Sequence, residues 1–251
     1  DEVKIGELIG EAVGNFSANI HSSVNGKVTS VIDIQTASGK NSKAVVIDTE
    51  GYDQEINYER KDVTNLTKEE IVEAIKANGL VGMGGAAFPA HIKYSPNKPV
   101  DTVIINGAEC EPYVTCDDLL LKTKADVIVD ALELLVKAVD AKKGIIAIED
   151  NKPEAIEKVK KAVANKNSSK LEVATMVTKY PQGDEKRIIN AVLHREVPSG
   201  GLPMDVGVIV SNVSSANAVY EAVYYGKPLI ERYMTVTGHG IKNPSNFLVR
   251  I

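Results

Sequence analysis

The residues best suited to chemistry fall in four short segments. The first is Gly79-Leu-Val-Gly-Met-Gly-Gly-Ala-Ala-Phe-Pro89, with Gly82, Gly84 and Gly85 closely spaced. Such a loop lets main-chain N–H groups converge on an anion and lets a flat molecule lie against the backbone. It departs from the dinucleotide fingerprint, in which G-x-G-x-x-G links a strand to a helix, because here the loop follows a helical pattern. A tight turn packed under small residues explains the glycines equally well. Phe88 adds a ring for stacking and Lys93 a cation for a phosphate.

The second segment, Asn106-Gly-Ala-Glu-Cys-Glu-Pro112, ends an apolar strand pattern. Ligands of α/β sheets bind beyond the carboxyl ends of strands. Asn106, Glu109 and Glu111 can there hydrogen-bond a polar heterocycle or ribose hydroxyls, or form a solvated turn. A glycosidase-like carboxylate pair has no other support in the chain. The third segment, Tyr180-Pro-Gln-Gly-Asp-Glu185, runs into a helix, whose free N–H groups favour phosphate or carboxylate. Asp184 and Glu185 serve equally as caps. The fourth, Ser211-Asn-Val-Ser-Ser-Ala216, offers hydroxyls and an amide at a strand end, suited to a phosphate or to a plain N-cap. Three of the four segments lie at strand-to-helix junctions, so they are harder to dismiss together than singly.

Other chemistries lack their residues. Cys110 and Cys116 have no C-x-x-C partner pattern, and His21, His91, His194 and His239 are scattered, so no zinc or iron–sulfur site is expected within this chain. Two cysteines are too few for a disulfide framework and point to a reducing compartment. The 251 residues carry 29 Lys+Arg against 34 Asp+Glu, a net charge of −5, which argues against a general nucleic-acid binder. No apolar run approaches the roughly 20 residues of a membrane span, and no secretory leader is visible. The chain starts at Asp1 and stops within a strand pattern, so a fragment of a longer protein is expected.

The elements that must position these segments follow from periodicity. Residues 1 to about 60 read as a small β-sandwich, with Asn25-Gly26 predicting a hairpin between Ile20–Val24 and Lys27–Ile34. Val45-Val-Ile47 predicts another strand. Thr67-Lys-Glu-Glu70 is a capping box opening a helix that Asn78-Gly79 ends. Thr102–Asn106 is a strand, and Asp117 and Asp118 are expected to cap one long helix to about Val139. Strands at Gly144–Ile148, Leu171–Met176 and Val206–Val210 then alternate with helices at Pro153–Ala164, Asp184–Leu193 and Ser214–Tyr225. This alternation predicts parallel βα units in one sheet. From about Leu229 the pattern returns to β.

Read together, the segments resemble one family. Gly82-Met-Gly-Gly-Ala-Ala-Phe-Pro89, Ile105-Asn-Gly-Ala-Glu-Cys-Glu-Pro-Tyr113, Tyr180-Pro-Gln-Gly-Asp-Glu185 and Glu196-Val-Pro-Ser-Gly-Gly-Leu-Pro203 look like the C subunit of the Rnf electron-transport complex. Gly226-Lys-Pro-Leu-Ile-Glu231 and Thr235-Val-Thr-Gly238 add to the match. That family is similar to the flavin-binding subunit of respiratory complex I, and the resemblance covers nearly the whole chain.

The resemblance implies a Rossmann-like α/β domain over residues 61–230 that binds FMN and oxidises NADH. A barrel-sandwich segment of the biotinyl/lipoyl type over residues 1–60 would precede it, and the start of a β-grasp-like domain over residues 231–251 would follow. By motif position, Gly82, Gly84, Gly85 and Lys93 would lie on the flavin and its phosphate. Asn106, Glu109 and Glu111 would line the flavin and ribityl chain. Tyr180, Gly183 and Asp184 would close the site, Ser211, Asn212 and Ser215 would lie near the phosphate, and Phe88 and Glu185 would face NADH. Lys27 lacks the tripeptide that marks a modified lysine. Complex I relatives carry Arg where Met83 stands and Asp where Ala108 stands, changes that remove polar contacts to flavin.

The implied role is a cytoplasmic subunit, peripheral to the membrane, that works with the other subunits of an Rnf-type complex. It would pass electrons from NADH to iron–sulfur clusters and, indirectly, ferredoxin, or run in reverse. The [4Fe–4S] clusters themselves would lie in a C-terminal part beyond this chain. Hydride transfer belongs to the cofactors, which agrees with the lack of a side-chain triad or metal set. The rival readings are a soluble relative serving an amino-acid or cobalamin reductase, and a non-catalytic module that has lost flavin.

Overall fold

A computed structural model describes residues 1–14, 16–36, 39–49, 51 and 56–251. The N-terminal unit has two small antiparallel sheets. One joins β1 (Glu2–Val3), β4 (Gly26–Gln35) and β5 (Asn41–Thr49), and the other pairs β2 (Leu8–Gly10) with β3 (Ile20–His21). The expected hairpin across Asn25-Gly26 does not form, because the strand before it pairs with β2 while Gly26 begins β4, opposite Val3 and Thr49. Gly26 is not needed for a positive φ. A Cβ there would lie 2.3 Å from the Asp48 carbonyl oxygen, so close backbone approach explains it.

The capping box forms as expected. Glu70 N donates to Thr67 Oγ1 (3.2 Å) and Thr67 N to Glu70 Oε2 (2.7 Å), starting α1 (Lys68–Ala77). Ile71 and Ile75 are fully buried on its apolar stripe. Asn78 caps the other end and Gly79 turns the chain with φ +67°. A short helix, α2 (Ala90–Lys93), follows the glycine loop.

The central sheet is parallel. Its strands β6 (Thr102–Gly107), β7 (Lys143–Glu149), β8 (Leu171–Met176) and β9 (Val208–Asn212) lie in the order β8-β7-β6-β9. Side chains alternate across it. Val103, Ile105, Ile146 and Ile148 pack with α3 (Cys116–Thr123), α4 (Ala125–Ala138), α5 (Pro153–Lys166) and α7 (Val213–Tyr225), whereas Ile104, Ile145 and Val210 pack with Ile188 and Ile189 of α6 (Glu185–Leu193). Both faces are covered, as parallel sheets require. A 3₁₀ turn, Pro203–Val206, takes up Val206, the residue expected to start β9, and the strand begins two residues later at Val208. The chain ends in an antiparallel pair, β10 (Glu231–Val236) with β11 (Ser245–Arg250).

The predicted long helix is broken in two at Lys124, whose φ of −129° is not helical. No proline or glycine marks the break. Nor does Asp117 or Asp118 cap it; Thr115 holds that position. Asp118 pairs with Lys122 at 2.6 Å, and Asp117 turns inward.

A buried charged group lies behind the tip of β6. Glu109 Oε1 accepts from Asp117 N (2.8 Å), while Oε2 stands 3.8 Å from Lys152 Nζ, which is 3.6 Å from Glu149. The Glu109 and Lys152 side chains are only 3% and 10% exposed. Burial pushes the Glu109 carboxyl up to about 7.

Two outcomes are expected. Thr67→Ala lowers stability in chemical denaturation by about 1 kcal/mol through loss of the cap. Between pH 4.5 and about 7 the folded chain holds a proton on Glu109 that the unfolded chain releases, so this group makes stability fall as pH rises. Glu109→Gln flattens that fall by at most ~3 kcal/mol; parallel pH slopes for the two proteins would contradict the assignment.

Candidate cofactor site

One cavity of about 420 Å³ opens at the carboxyl end of β6 and β9, between the glycine loop and the starts of α6 and α7. The volume falls within the range of roughly 300–1,000 Å³ typical of small-molecule sites. Of the residues singled out from the sequence, Gly82, Gly84, Phe88, Lys93, Asn106, Gly183, Glu185, Ser211, Asn212 and Ser215 line it. Thus segments distant in sequence meet on one wall system, with Gly84 facing Asn212 and Asn106 facing Gly183.

The remaining candidates lie off the cavity lining. Gly85 turns the loop at φ +119°. Glu109 belongs to the buried group behind the strand tip, and Glu111 is exposed. Tyr180 is exposed, and Asp184 caps α6 by accepting from Lys186 N and Arg187 N, both at 3.1 Å.

The lining is held by its own hydrogen bonds. Asn106 Nδ2 donates to Gly183 O (2.8 Å), and Gly183 N donates to Cys110 Sγ (3.0 Å). A Cβ on Gly183 would come 3.0 Å from that sulfur and 3.2 Å from the Ala108 carbonyl oxygen, a tight fit that favours glycine there. Met83 N donates to Ser215 Oγ (2.8 Å), tying the glycine loop to the first turn of α7. Asn212 caps α7, accepting from Ser215 N (3.2 Å), and its Nδ2 donates to Asp117 Oδ2 (2.6 Å). Ser214 Oγ donates to Asp117 Oδ1 (2.6 Å). Burial raises the Asp117 carboxyl above its usual range, and the bonds from Ser214 and Asn212 oppose the rise. Tyr94, fully buried beneath the site, shares a 2.7 Å hydrogen bond with Ser211, and burial pushes its phenol up to about 12.

Lys93 supplies the cavity's cation. Its Nζ donates to Glu185 Oε1 (2.9 Å) and to the Val210 carbonyl (2.8 Å), bridging the start of α6 and the middle of β9. Gly82 and Gly84 share with Gly10 and Gly240 a backbone and packing that do not demand glycine. Neither has a positive φ, and a Cβ would meet nothing nearer than 3.7 Å at Gly82 and 3.4 Å at Gly84. Backbone conformation and protein packing therefore demand neither glycine; unlike Gly10 and Gly240, both border the cavity. A planar group laid against that loop, with an anion toward Lys93 and the α7 N-terminus, suits the donors present.

The sequence missed Asp117, whose acidic type beside a helix start reads as a cap. It also missed Tyr94, and Ile209 and Met204, which add apolar wall. Tyr94 and Ile209 carry no chemical signal separable from core periodicity. Among the described residues no group of His, Cys, Asp and Glu is arranged to hold a metal ion, and no helix is long and apolar enough to cross a membrane.

Two family models match the chain. The family model described as the Nuo51 FMN-binding domain matches residues 75–221, more than half of the chain, and the RnfC barrel sandwich hybrid domain matches residues 1–52. The C subunit of a Na(+)-translocating ferredoxin:NAD(+) oxidoreductase complex from Acetobacterium woodii is 44% identical over 256 residues, covering 100% of this chain and 57% of its own length. The C subunit of the proton-translocating complex of Clostridium ljungdahlii is also 44% identical, with 55% of its length covered, and that of Rhodobacter capsulatus is 40% identical, with 49% covered. The chain thus spans about half the length of these relatives. Among solved structures, an NAD+-reducing NiFe-hydrogenase in the H2-reduced state aligns with a TM-score of 0.51 at 26% identity, over 62% of this chain and 31% of that one. With relatives of this identity along its whole length, the chain belongs to the RnfC family, the C subunits of ion-translocating oxidoreductase complexes.

Proposed function

We propose that this chain binds FMN in the cavity beside the glycine loop and exchanges hydride with NAD(H) there, as the nucleotide-facing part of an Rnf-type electron-transport subunit. The observation that carries the reading is the pair Gly82 and Gly84, which border the cavity on a loop where neither backbone conformation nor packing demands glycine. FMN, when bound, supplies two-electron acceptance and one-electron release; the protein supplies position, electrostatics and exclusion of water.

Each part of the lining then has a role. Gly82, Gly84 and Gly85 keep the loop low against the flavin. Lys93 and the α7 N-terminus, with Ser211, Asn212 and Ser215, hold the phosphate. Asn106 and Gly183 fix the opposite wall, and Glu111, Tyr180 and Asp184 shape the entrance around it. Glu109 acts from behind, through Asp117 and the strand tip. Phe88 and Glu185 face NADH. Electrons would leave toward iron–sulfur clusters carried by a C-terminal part beyond this chain, with β10 and β11 starting the next domain, and then toward ferredoxin. The working location is the cytoplasmic face of a membrane, among the other subunits of the complex.

Adding FMN to the purified chain is expected to give a bound yellow flavin with quenched fluorescence, which NADH bleaches under anaerobic conditions. Gly84→Val is expected to abolish FMN uptake while the melting temperature stays unchanged, since its Cβ has room but its methyls enter the cavity. Lys93→Met weakens FMN by roughly tenfold, the loss of one charge-assisted hydrogen bond. A folded chain that takes up no FMN overturns the reading.

A further inference from the structure

A second groove, of about 470 Å³, runs along α6 and shares no lining residue with the cofactor cavity. One stretch of chain nonetheless walls both. Gln182 and Asp184 line the groove, whereas Gly183 and Glu185 line the cavity. The backbone is extended at Asp184, and extended chain sends successive side chains to opposite sides.

Gln182 is the residue that packing does not explain. It is only 2% exposed, yet its carboxamide oxygen has no hydrogen-bond partner. Leaving a buried polar group unpaired is costly, and an apolar side chain would fill the same space without that cost. Around it stand Lys179, Lys186 and Arg187, all exposed. Lys186 Nζ reaches the Pro198 carbonyl at 3.5 Å, a long bond that a ligand can displace. Two acids share the groove. Asp184 is occupied as the cap of α6, accepting from Lys186 N and Arg187 N, so the helix start offsets its charge. That leaves Glu196 against three cations.

We propose that this groove is a binding site for a small dianion, a phosphate monoester or a dicarboxylate, held by Lys179, Lys186 and Arg187 with the Gln182 amide beneath it. The amide carries two N–H donors on a freely turning last bond, so it can present them to an anion. Arg187 supplies a forked donor that matches either kind of oxyanion. The site does not depend on what the cofactor cavity binds. An anion seated there rests on the chain segment that also walls the cavity.

The test uses the whole chain, isotope-labelled for NMR and titrated at constant ionic strength with inorganic phosphate and, separately, with succinate. Saturable shifts are expected at the Gln182 side-chain amide and at the backbone amides of Lys186 and Arg187, and the tighter anion identifies phosphate or dicarboxylate chemistry. Arg187→Met is expected to weaken binding by about tenfold, the loss of one charge-assisted hydrogen bond, and Glu196→Gln to strengthen it. Gln182→Met weakens it several-fold without lowering the melting temperature, because methionine keeps the volume and removes the unpaired oxygen. Lys93→Met, in the cofactor cavity, leaves the affinity unchanged. Shifts that fail to saturate with both anions overturn the proposal, as does wild-type affinity in Arg187→Met. A loss in Lys93→Met with none in Arg187→Met overturns it too, because the anion then sits in the cofactor cavity.

Discussion

The cavity keeps its shape through a short run of hydrogen bonds that begins at a buried carboxylate. Asp117 accepts from Asn212, Asn212 accepts from Ser215 N, and Ser215 accepts from Met83 N. Three regions more than a hundred residues apart in places are thereby locked together: α3, the start of α7 and the glycine loop. Each bond alone is worth about 1 kcal/mol. Their joint effect is larger, because losing one buried partner strands the others. Asp117 lies too deep for solvent to replace its partners.

This scheme shows why the lining residues are mostly already engaged. Ser211, Asn212 and Ser215 make hydrogen bonds to protein groups before any ligand arrives. They set the position of backbone N–H groups rather than presenting a row of free side chains. Preorganisation of that kind avoids ordering loops at the moment of binding. Lys93 is the exception, since its ion pair with Glu185 is part-exposed and therefore weak. It is the one cation on the described lining able to change partners without disturbing the core.

Local features were legible in the sequence. The capping box at Thr67, the turn at Asn78-Gly79, Pro153 at a helix start and β8 at Leu171–Met176 all depend on neighbours in the chain. The cavity was legible in part, because Gly84, Asn106 and Asn212 lie at strand ends and loops where α/β folds place ligands. What escaped depends on tertiary contact. Gly26 suits a hairpin turn by type, yet it serves the close approach of Asp48. The break at Lys124 follows from packing, with no residue to signal it. Asp117 shows its function only once α7 is beside it. Phe16 sits in an aperiodic stretch that gives no hint of its edge-on contact with Phe88.

Gly79 answers to two demands at once. Its φ of +67° ends α1, and its bare α-carbon admits the Asn19 carbonyl at a distance no side chain tolerates. Asparagine, which often substitutes for glycine in left-handed backbone, would satisfy the first demand and violate the second. The helix terminus and the docking of the N-terminal unit therefore cannot vary independently, and any drift in how the two units sit against each other is confined to solutions that preserve this single hydrogen atom.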